Sequence, residues 1–212
     1  MNSIRIFDDN SFTQICDELI KRDVHLANIV SEYGYPTVWK RKPNFETLIH
    51  IILEQQVSLA SAKAALNKLK EKIGIITPKK VISLTDAELK ACYFSRQKIS
   101  YAKHLAQSII SKHLKLEQLE IFPDETVRAE LKKVKGIGDW TTDVYLMMAL
   151  QRADLFPLGD IALVKSMKEI KNLPPLTSKE EIFLLAEQWR PFRTIAAYLL
   201  WHAYIKKRKM VI

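Results

Sequence analysis

The chain has 212 residues, of which 48% are hydrophobic, so it is long enough to bury the core of one large domain or of two small lobes. Its two cysteines are too few for a disulfide framework or a four-cysteine metal site, and no uncharged apolar run reaches the length of a membrane span or a signal-peptide core. The formal charge of +9 favours a polyanionic partner such as nucleic acid, and we expect an intracellular protein, cytoplasmic or nucleoid-associated (nuclear in a eukaryote), that does not bind membranes.

Helix signals follow one another along the chain. Two N-terminal helices are predicted around residues 12–22 and 25–33, and a pair of helices closes the chain, the last of them starting at Pro191. Between these, capping residues or a first-turn proline predict helix starts at Asn44, Ser58, Thr77, Thr85, Ser95 and Pro123. Alternating strand patterns and internal repeats are not visible, so the sequence predicts an all-α fold.

Two of the five glycines in the chain stand together as Gly136-Ile137-Gly138, between two segments of helical periodicity. Glycine permits a positive φ and leaves neighbouring N–H groups uncovered, so the turn and the start of the next helix offer donors that suit a phosphate oxygen. A tight helix–helix connection without a ligand is the alternative interpretation.

In a basic, all-helical chain, the run Lys-Gly-Ile-Gly before a helix resembles the helix-hairpin-helix motif of DNA-binding proteins. The resemblance implies that a DNA phosphate is held by the backbone amides of Gly136, Gly138 and Trp140. It also implies a monovalent cation, Na⁺ or K⁺, present only with DNA and bound by the backbone carbonyls of Lys132, Val134 and Ile137.

About twenty residues beyond the hairpin, Asp160 follows Gly159 in a loop that contains proline, and it precedes another helical segment, where it is a candidate N-cap. A hairpin followed by such a loop and aspartate resembles the helix-hairpin-helix DNA glycosylase superfamily, and the chain is most similar to the 3-methyladenine DNA glycosylase II family. The similarity includes, in the family's order, the segments "ILEQQVSLASAKA", "SRQKISYAKHLA" and "AEQWRPFRTIAAYLLW", and it covers roughly residues 40–202.

The resemblance implies a single glycosylase domain over residues 1–212, built from two helical lobes with the active-site cleft between them. One lobe carries the hairpin and comprises residues 42–150, and the other is formed by residues 1–41 and 151–212. This is the compact form of the family, without the N-terminal β-rich domain of some members. We expect a monomer, and the lack of four clustered cysteines indicates that the iron–sulfur centre of some relatives is missing.

The resemblance also assigns roles in hydrolysing the N-glycosidic bond of an extruded base. Asp160 is expected to stabilise positive charge on the sugar and to orient water. Gln56, with Gln55 as the second choice, is expected to fill the gap that the extruded base leaves, although both are also simple polar residues at a helix end. Trp140 and Trp201 match aromatic pocket positions of the family, but Trp201 fits core packing equally well.

Three further residues bear on specificity and DNA binding. Ile161 stands where some relatives have an aromatic residue, so the base pocket is expected to be less stacked on that side. Lys135 and Lys165 are candidate contacts to the DNA backbone. The block "WRPFR" is interpreted mainly as structural, with Arg193 as a support for the active-site loop.

The function implied is base excision repair of double-stranded DNA. Alkylated purines such as 3-methyladenine and 7-methylguanine carry a positive charge, leave easily and attract aromatic rings. Trp140 replaces the lysine of relatives that also nick the backbone, so we expect a monofunctional enzyme that leaves an abasic site and requires no cofactor. Two alternatives stay open: a non-catalytic module that only binds duplex DNA, and a glycosylase for another damaged purine.

Overall fold

The computed structural model describes residues 4–210, so the first three and last two residues, which fall in the sequence-predicted second lobe, lie outside the described part. Among the described residues there is no strand, only an isolated bridge between Ile6 and Arg152, which confirms the all-α prediction. The helices are α1 (Asp9–Arg22), α2 (Val24–Tyr33), α3 (Phe45–Glu54), α4 (Leu59–Ile73), α5 (Pro78–Ser83), α6 (Asp86–Ala91), α7 (Arg96–Ile110), α8 (Asp124–Lys132), α9 (Asp139–Met148), α10 (Ile161–Ile170), α11 (Lys179–Glu187) and α12 (Arg193–Lys207). A short 3₁₀ helix, Leu116–Ile121, was not indicated by the sequence.

The described residues form two compact units. One consists of residues 41–150 and contains helices α3 to α9, including the glycine turn. The other consists of residues 4–40 and 151–210 and contains α1, α2 and α10 to α12, including Asp160.

Helix α3 is the centre of the 41–150 unit. Its side chains from Leu48 to Leu53 are almost all buried, against α4, α7 and α9. A fully buried Leu or Ile contributes roughly 1.5–3 kcal/mol, so this one helix supplies a large share of the unit's stability. The side chain of Asn44 accepts a hydrogen bond from the N–H of Thr47 and starts the helix as predicted.

Helix α12 is the centre of the other unit, and α1, α2 and α10 pack around it. It begins at Arg193, so the prediction of a start at Pro191 was wrong. The N–H of Phe192 donates to the carbonyl of Trp189, so Pro191, which follows a cis peptide bond, lies in a turn before the helix, and Phe192 is the N-cap.

The helix starts predicted at capping residues are confirmed, whereas α1 begins at Asp9, ahead of the predicted start around residue 12. The side chains of four residues accept a hydrogen bond from the N–H three residues on: Ser58, Thr77, Thr85 and Ser95. Such a cap is worth about 0.5–2 kcal/mol, which explains why each boundary follows the local sequence. Pro123 precedes α8 at the N-cap position. Among the described residues, none of the helices has the length and hydropathy that crossing a bilayer demands.

Candidate functional site

The glycine turn joins α8 to α9, and its two glycines have different backbone conformations. Gly136 has φ +90°, in the region that favours glycine, so the sequence-based expectation is confirmed there. Gly138 is the N-cap of α9 with φ −106°, which any residue can adopt, so positive φ is wrong for this glycine. The backbone dihedral angles therefore require glycine at position 136 but not at position 138.

A second constraint acts on Gly136. A Cβ atom at this position would overlap the aromatic ring of Tyr101, which comes from α7, whereas a Cβ at Gly138 would meet nothing within 4 Å. The hydroxyl of Tyr101 accepts a hydrogen bond of 2.5 Å from the amide of Gln97, one helical turn earlier. The ring is thus held over the hairpin, and the backbone of Gly136 packs directly against it.

The hairpin uses some of its N–H groups internally and leaves others uncovered. The N–H of Ile137 donates to the carbonyl of Val134 at 3.1 Å, and the N–H of Lys135 donates to Nδ1 of His104 at 3.2 Å. Within residues 4–210, the N–H groups of Gly136 and Gly138 have no hydrogen-bond acceptor. These two groups are donors available to a phosphate oxygen, next to the first turn of α9, which has no side-chain cap.

The side chains around the hairpin divide into buried and exposed ones. Ile137 is only 5% exposed, so its side chain anchors the turn in the core. Lys135 and Lys132 extend into solvent, where the ammonium of Lys132 lies 2.7 Å from Oδ1 of Asp139. Trp140 lies half-buried in the first turn of α9.

The structure separates the two glutamines that the sequence left as alternatives. The Gln55 amide donates to the carbonyl of Gly136 and to Oγ1 of Thr141, both at 2.9 Å, so it ties the turn after α3 to the hairpin. Gln56 is exposed and has φ +56°. The Gln55 side chain is therefore bound to the hairpin, whereas the Gln56 side chain is exposed to solvent.

Lys98 stabilises the same turn from α7. Its Nζ donates to the carbonyl of Leu53 at 2.6 Å, which satisfies a backbone acceptor in the last turn of α3. Burial lowers the pKa of Lys98.

In the other unit, Asp160 is the N-cap of α10. Its Oδ1 accepts the N–H of Leu163 at 2.8 Å and the indole Nε1–H of Trp201 at 3.1 Å. The N-cap interpretation is thus confirmed, and the indole contact adds a partner that is 41 residues away in the chain. Two N–H donors hold the carboxylate in a fixed orientation.

The loop before Asp160 is fastened to the start of α12. The guanidinium of Arg193 donates to Asp154 through Nε to Oδ1 at 2.8 Å and through a terminal nitrogen to the Asp154 carbonyl at 2.9 Å. Oγ1 of Thr194 accepts the N–H of Leu155 at 3.0 Å. Arg193 therefore supports the loop, as the sequence indicated, and does so through an ion pair that is itself largely buried.

The remaining predicted site residues of this unit surround Asp160. Trp201 is only 6% exposed, so it is both a core residue and a partner of the carboxylate. Ile161 is 84% exposed. A groove of about 490 Å³ is lined in part by Asp160, Ile161, Val164 and Lys165. Lys165 is exposed on this groove, where a polyanion can reach it.

Comparison with known proteins bears directly on these features. The family model of the HhH-GPD superfamily base excision DNA repair proteins matches residues 49–191. DNA-3-methyladenine glycosylase 1 of Schizosaccharomyces pombe is 28% identical over 202 residues, which are 89% of each chain. The putative DNA-3-methyladenine glycosylase YfjP of Bacillus subtilis is 28% identical over 209 residues, which are 94% of this chain and 72% of that protein. The solved structure of S. pombe Mag1 in complex with abasic DNA superposes with a TM-score of 0.80, at 28% identity, over 89% of this chain and 95% of that one.

The chain belongs to the HhH-GPD superfamily of base excision DNA repair proteins. It is a DNA glycosylase, a hydrolase of the N-glycosyl bond, and its partner is DNA. The matched residues include the hairpin and Asp160, so both features that the sequence singled out lie inside the family's conserved model.

Three residues that contact predicted site residues or support the turn beside them, two in the 41–150 unit and one in the other unit, had no assigned role in the sequence interpretation. Tyr101 covers Gly136, Lys98 caps α3, and Trp39 contacts the ring of Trp201. Lys98 stands in the segment "SRQKISYAKHLA", which the family resemblance had already marked. The sequence could have drawn attention to Trp39, because it is a tryptophan that lies outside the helices. Nothing in the residues around Tyr101 indicates its contact with Gly136.

Proposed function

We propose that the protein is a monofunctional DNA glycosylase that removes alkylated purines, of the 3-methyladenine and 7-methylguanine type, from double-stranded DNA. The main support is the Asp160 carboxylate, fixed by the N–H groups of Leu163 and Trp201 beside a cluster of aromatic rings. The relatives at 28% identity that are named DNA-3-methyladenine glycosylases support the same substrate class.

The hairpin would anchor the DNA strand. Uncovered amides at Gly136 and Gly138 are neutral donors that suit one phosphate oxygen, and the exposed Lys135 and Lys165 add charge contacts to the backbone. These contacts position the strand without reading its sequence, which suits an enzyme that meets lesions in any sequence context.

The carbonyls of Lys132, Val134 and Ile137 would hold a Na⁺ or K⁺ ion when DNA is bound. The residues fit this use, because all three ligands are neutral backbone oxygens, and the Val134 carbonyl, which accepts the N–H of Ile137, keeps a second lone pair for an ion. The ion would supply a positive charge close to the phosphate. No other cofactor is needed for the hydrolysis described below.

A base inside the duplex must be extruded before it can react, which costs a few kcal/mol of unstacking. Gln56 would occupy the vacated space, because its side chain is exposed while that of Gln55 is bound to the hairpin. An amide both fills volume and hydrogen-bonds the base left without a partner.

The reaction breaks the bond between the sugar C1′ and the base nitrogen, and the electron pair of that bond leaves with the base. An alkylated purine is cationic, so it accepts the pair, departs neutral and needs no strong acid. The positive charge that develops on the sugar would be stabilised by the Asp160 carboxylate, which also orients the attacking water and accepts its proton. Because Trp140 stands where a lyase would have its amine, the product would be an intact strand with an abasic site.

Methylated duplex DNA provides the test. Wild-type protein is expected to release free methylated bases, seen by chromatography, and to leave strand breaks only after alkali. Asp160→Asn is expected to abolish release, by about 10²-fold or more, while DNA affinity stays within about twofold, since asparagine still caps a helix. Asp8→Asn is the matched control, because Asp8 is an exposed helix N-cap of the same unit.

The outcomes separate the alternatives. Near-wild-type release by Asp160→Asn would remove Asp160 from the chemistry, and strand cleavage without alkali would contradict a monofunctional enzyme. Salt-dependent DNA binding without release of any base would favour the non-catalytic module. A panel of duplexes with hypoxanthine, ethenoadenine or an oxidised purine tests the other substrate classes, and sedimentation with one lesion duplex tests the expected monomer.

A further inference from the structure

Three successive residues at the end of α3 are each anchored by a different segment of the 41–150 unit. The carbonyl of Leu53 accepts a hydrogen bond of 2.6 Å from Nζ of Lys98, and the side-chain amide of Gln55 donates to the hairpin. Between them, Glu54 is the last residue of α3 and forms an ion pair with Arg41, which precedes the helix. The backbone that leaves α3 therefore has little freedom to move.

The pair of Arg41 and Glu54 is bidentate. Nη1 of Arg41 donates to Oε2 of Glu54 at 2.9 Å, and Nη2 donates to Oε1 at 2.6 Å. Two such bonds fix the orientation of the carboxylate as well as its distance. The backbone N–H of Arg41 also donates to the carbonyl of Met148, the last residue of α9, at 2.9 Å. Arg41 thus connects the end of α3 to the helix that begins at the hairpin.

Stability does not account for a carboxylate at this position. Glu54 lies at the C-terminal end of α3, where the helix dipole disfavours a negative charge, and its side chain is only 6% exposed. Nε2 of His50 lies 3.4 Å from the same carboxylate, but burial lowers the pKa of His50, so Arg41 supplies the countercharge at neutral pH. Apolar residues of similar size in place of a buried ion pair are often neutral or stabilising. What the ion pair adds is a defined geometry.

The residue that follows these anchors has a strained backbone. Gln56 has φ +56°, in the left-handed region that favours glycine, and its side chain is exposed. A residue other than glycine keeps such a conformation only when the surrounding structure imposes it, and such residues cluster at functional sites. The anchors on residues 53–55 are that surrounding structure.

We infer that Arg41 and Glu54 are positioning residues for Gln56, and that their ion pair directs the Gln56 side chain toward the gap left by the extruded base. The inference rests on the proposed function for the role of Gln56 itself, and it adds what keeps that side chain in place. The pair acts through Gln56 and takes no part in bond breaking.

The double variant Arg41→Met/Glu54→Leu tests the inference, because it replaces the ion pair by apolar side chains of similar size. Its urea midpoint is expected to stay close to that of the wild type. Single-turnover release of a methylated base from a paired duplex is expected to slow about tenfold, the loss expected for Gln56→Ala. Lys70→Met/Glu46→Leu is the matched control, since it removes an ion pair of 2.7 Å at the other end of α3 and should release bases at the wild-type rate.

A double-mutant cycle shows whether the pair acts through Gln56. In a Gln56→Ala background, removal of the pair should not slow release further, because the side chain that the pair positions is already gone. A further loss of about tenfold in that background would overturn the inference, as would wild-type release by a stably folded Arg41→Met/Glu54→Leu protein.

Arg41→Lys decides the question if the double variant does not fold. Lysine keeps the charge next to Glu54 but lacks the planar fork that makes two bonds. Release from a paired duplex should therefore slow by roughly 2- to 5-fold, less than in the double variant. Release at the wild-type rate in Arg41→Lys would count against the ion pair in the same way.

A binding measurement keeps this inference separate from the proposed function. In a duplex with a tetrahydrofuran abasic analogue opposite 2-aminopurine, a side chain that fills the gap changes the 2-aminopurine fluorescence without any base release. Wild-type protein at saturation should produce this change, and both Gln56→Ala and Arg41→Met/Glu54→Leu should lose most of it.

The fluorescence outcomes assign failure to one proposal or the other. A wild-type protein that gives the signal but releases no methylated base would remove the proposed function and keep the inference. An undiminished signal from Arg41→Met/Glu54→Leu would overturn the role of the ion pair. A wild-type protein that gives no signal would overturn the role of Gln56 and, with it, that of the pair.

Discussion

Gly136→Ala should destabilise the 41–150 unit far more than Gly138→Ala, although the two glycines are two residues apart. Alanine at Gly136 must adopt φ +90°, a left-handed conformation that costs about 1–2 kcal/mol, and its Cβ overlaps the Tyr101 ring, an overpacking that costs about 1–3 kcal/mol. Replacing glycine also restricts the unfolded chain, which returns about 0.4–1 kcal/mol. The net loss expected for Gly136→Ala is therefore about 1–4 kcal/mol.

Gly138→Ala lacks both costs. Its φ is −106° and a Cβ there meets nothing within 4 Å, so only the weaker N-cap propensity of alanine remains, about 1 kcal/mol. The restriction of the unfolded chain offsets most of this loss. The free energy of unfolding should consequently change by less than about 1 kcal/mol.

Urea unfolding followed by circular dichroism measures both variants, with the transition midpoint compared at a constant m value. The double variant Tyr101→Ala/Gly136→Ala separates the two costs, since it removes the ring overlap and keeps the backbone strain. Its loss should be smaller than the sum of the two single losses by about 1–3 kcal/mol. Equal losses in the two glycine variants, or simple additivity with Tyr101→Ala, would refute the interpretation of this hairpin.

Three other substitutions test the site and the contacts that support the fold. Gln55→Ala should lower stability by about 1–2 kcal/mol, because two part-buried hydrogen bonds, to Gly136 and to Thr141, are lost. Gln56→Ala should leave the urea midpoint unchanged and slow base release from a paired duplex about tenfold, and less from a mispaired one. Slower release in Gln55→Ala alone would reverse these assignments. Burial raises the pKa of Asp23, but hydrogen bonds from Lys171 and Trp189 outweigh this effect and lower the pKa below its ordinary value of 3.8. The stability that these hydrogen bonds add is present above about pH 4, and it is lost as pH falls through the folded-state pKa. Asp23→Asn should therefore cost about 1–3 kcal/mol at pH 7 and progressively less as pH falls through the folded-state pKa, and a cost that does not change with pH would contradict this linkage.

The sequence alone determined the features that depend on neighbours along the chain. Helix starts at Asn44, Ser58 and Thr85 follow from side chains that reach an N–H group three residues away, so local chemistry fixes them. The Gly-Ile-Gly run between helical segments indicated the hairpin for the same reason. The N-cap position of Asp160 was predicted in the same way, because it precedes a helical segment, whereas its role in catalysis is a proposal that came from the family resemblance.

Only the tertiary structure showed which residues contact one another around these features. The choice between Gln55 and Gln56 depends on a bond to Gly136, 81 residues away, and the orientation of Asp160 depends on Trp201, 41 residues away. Periodicity and capping describe each helix by itself, whereas such contacts exist only after the helices have packed. The same packing requires glycine beneath the Tyr101 ring and leaves part of Trp39 uncovered beside Trp201, and neither fact can be read from one segment.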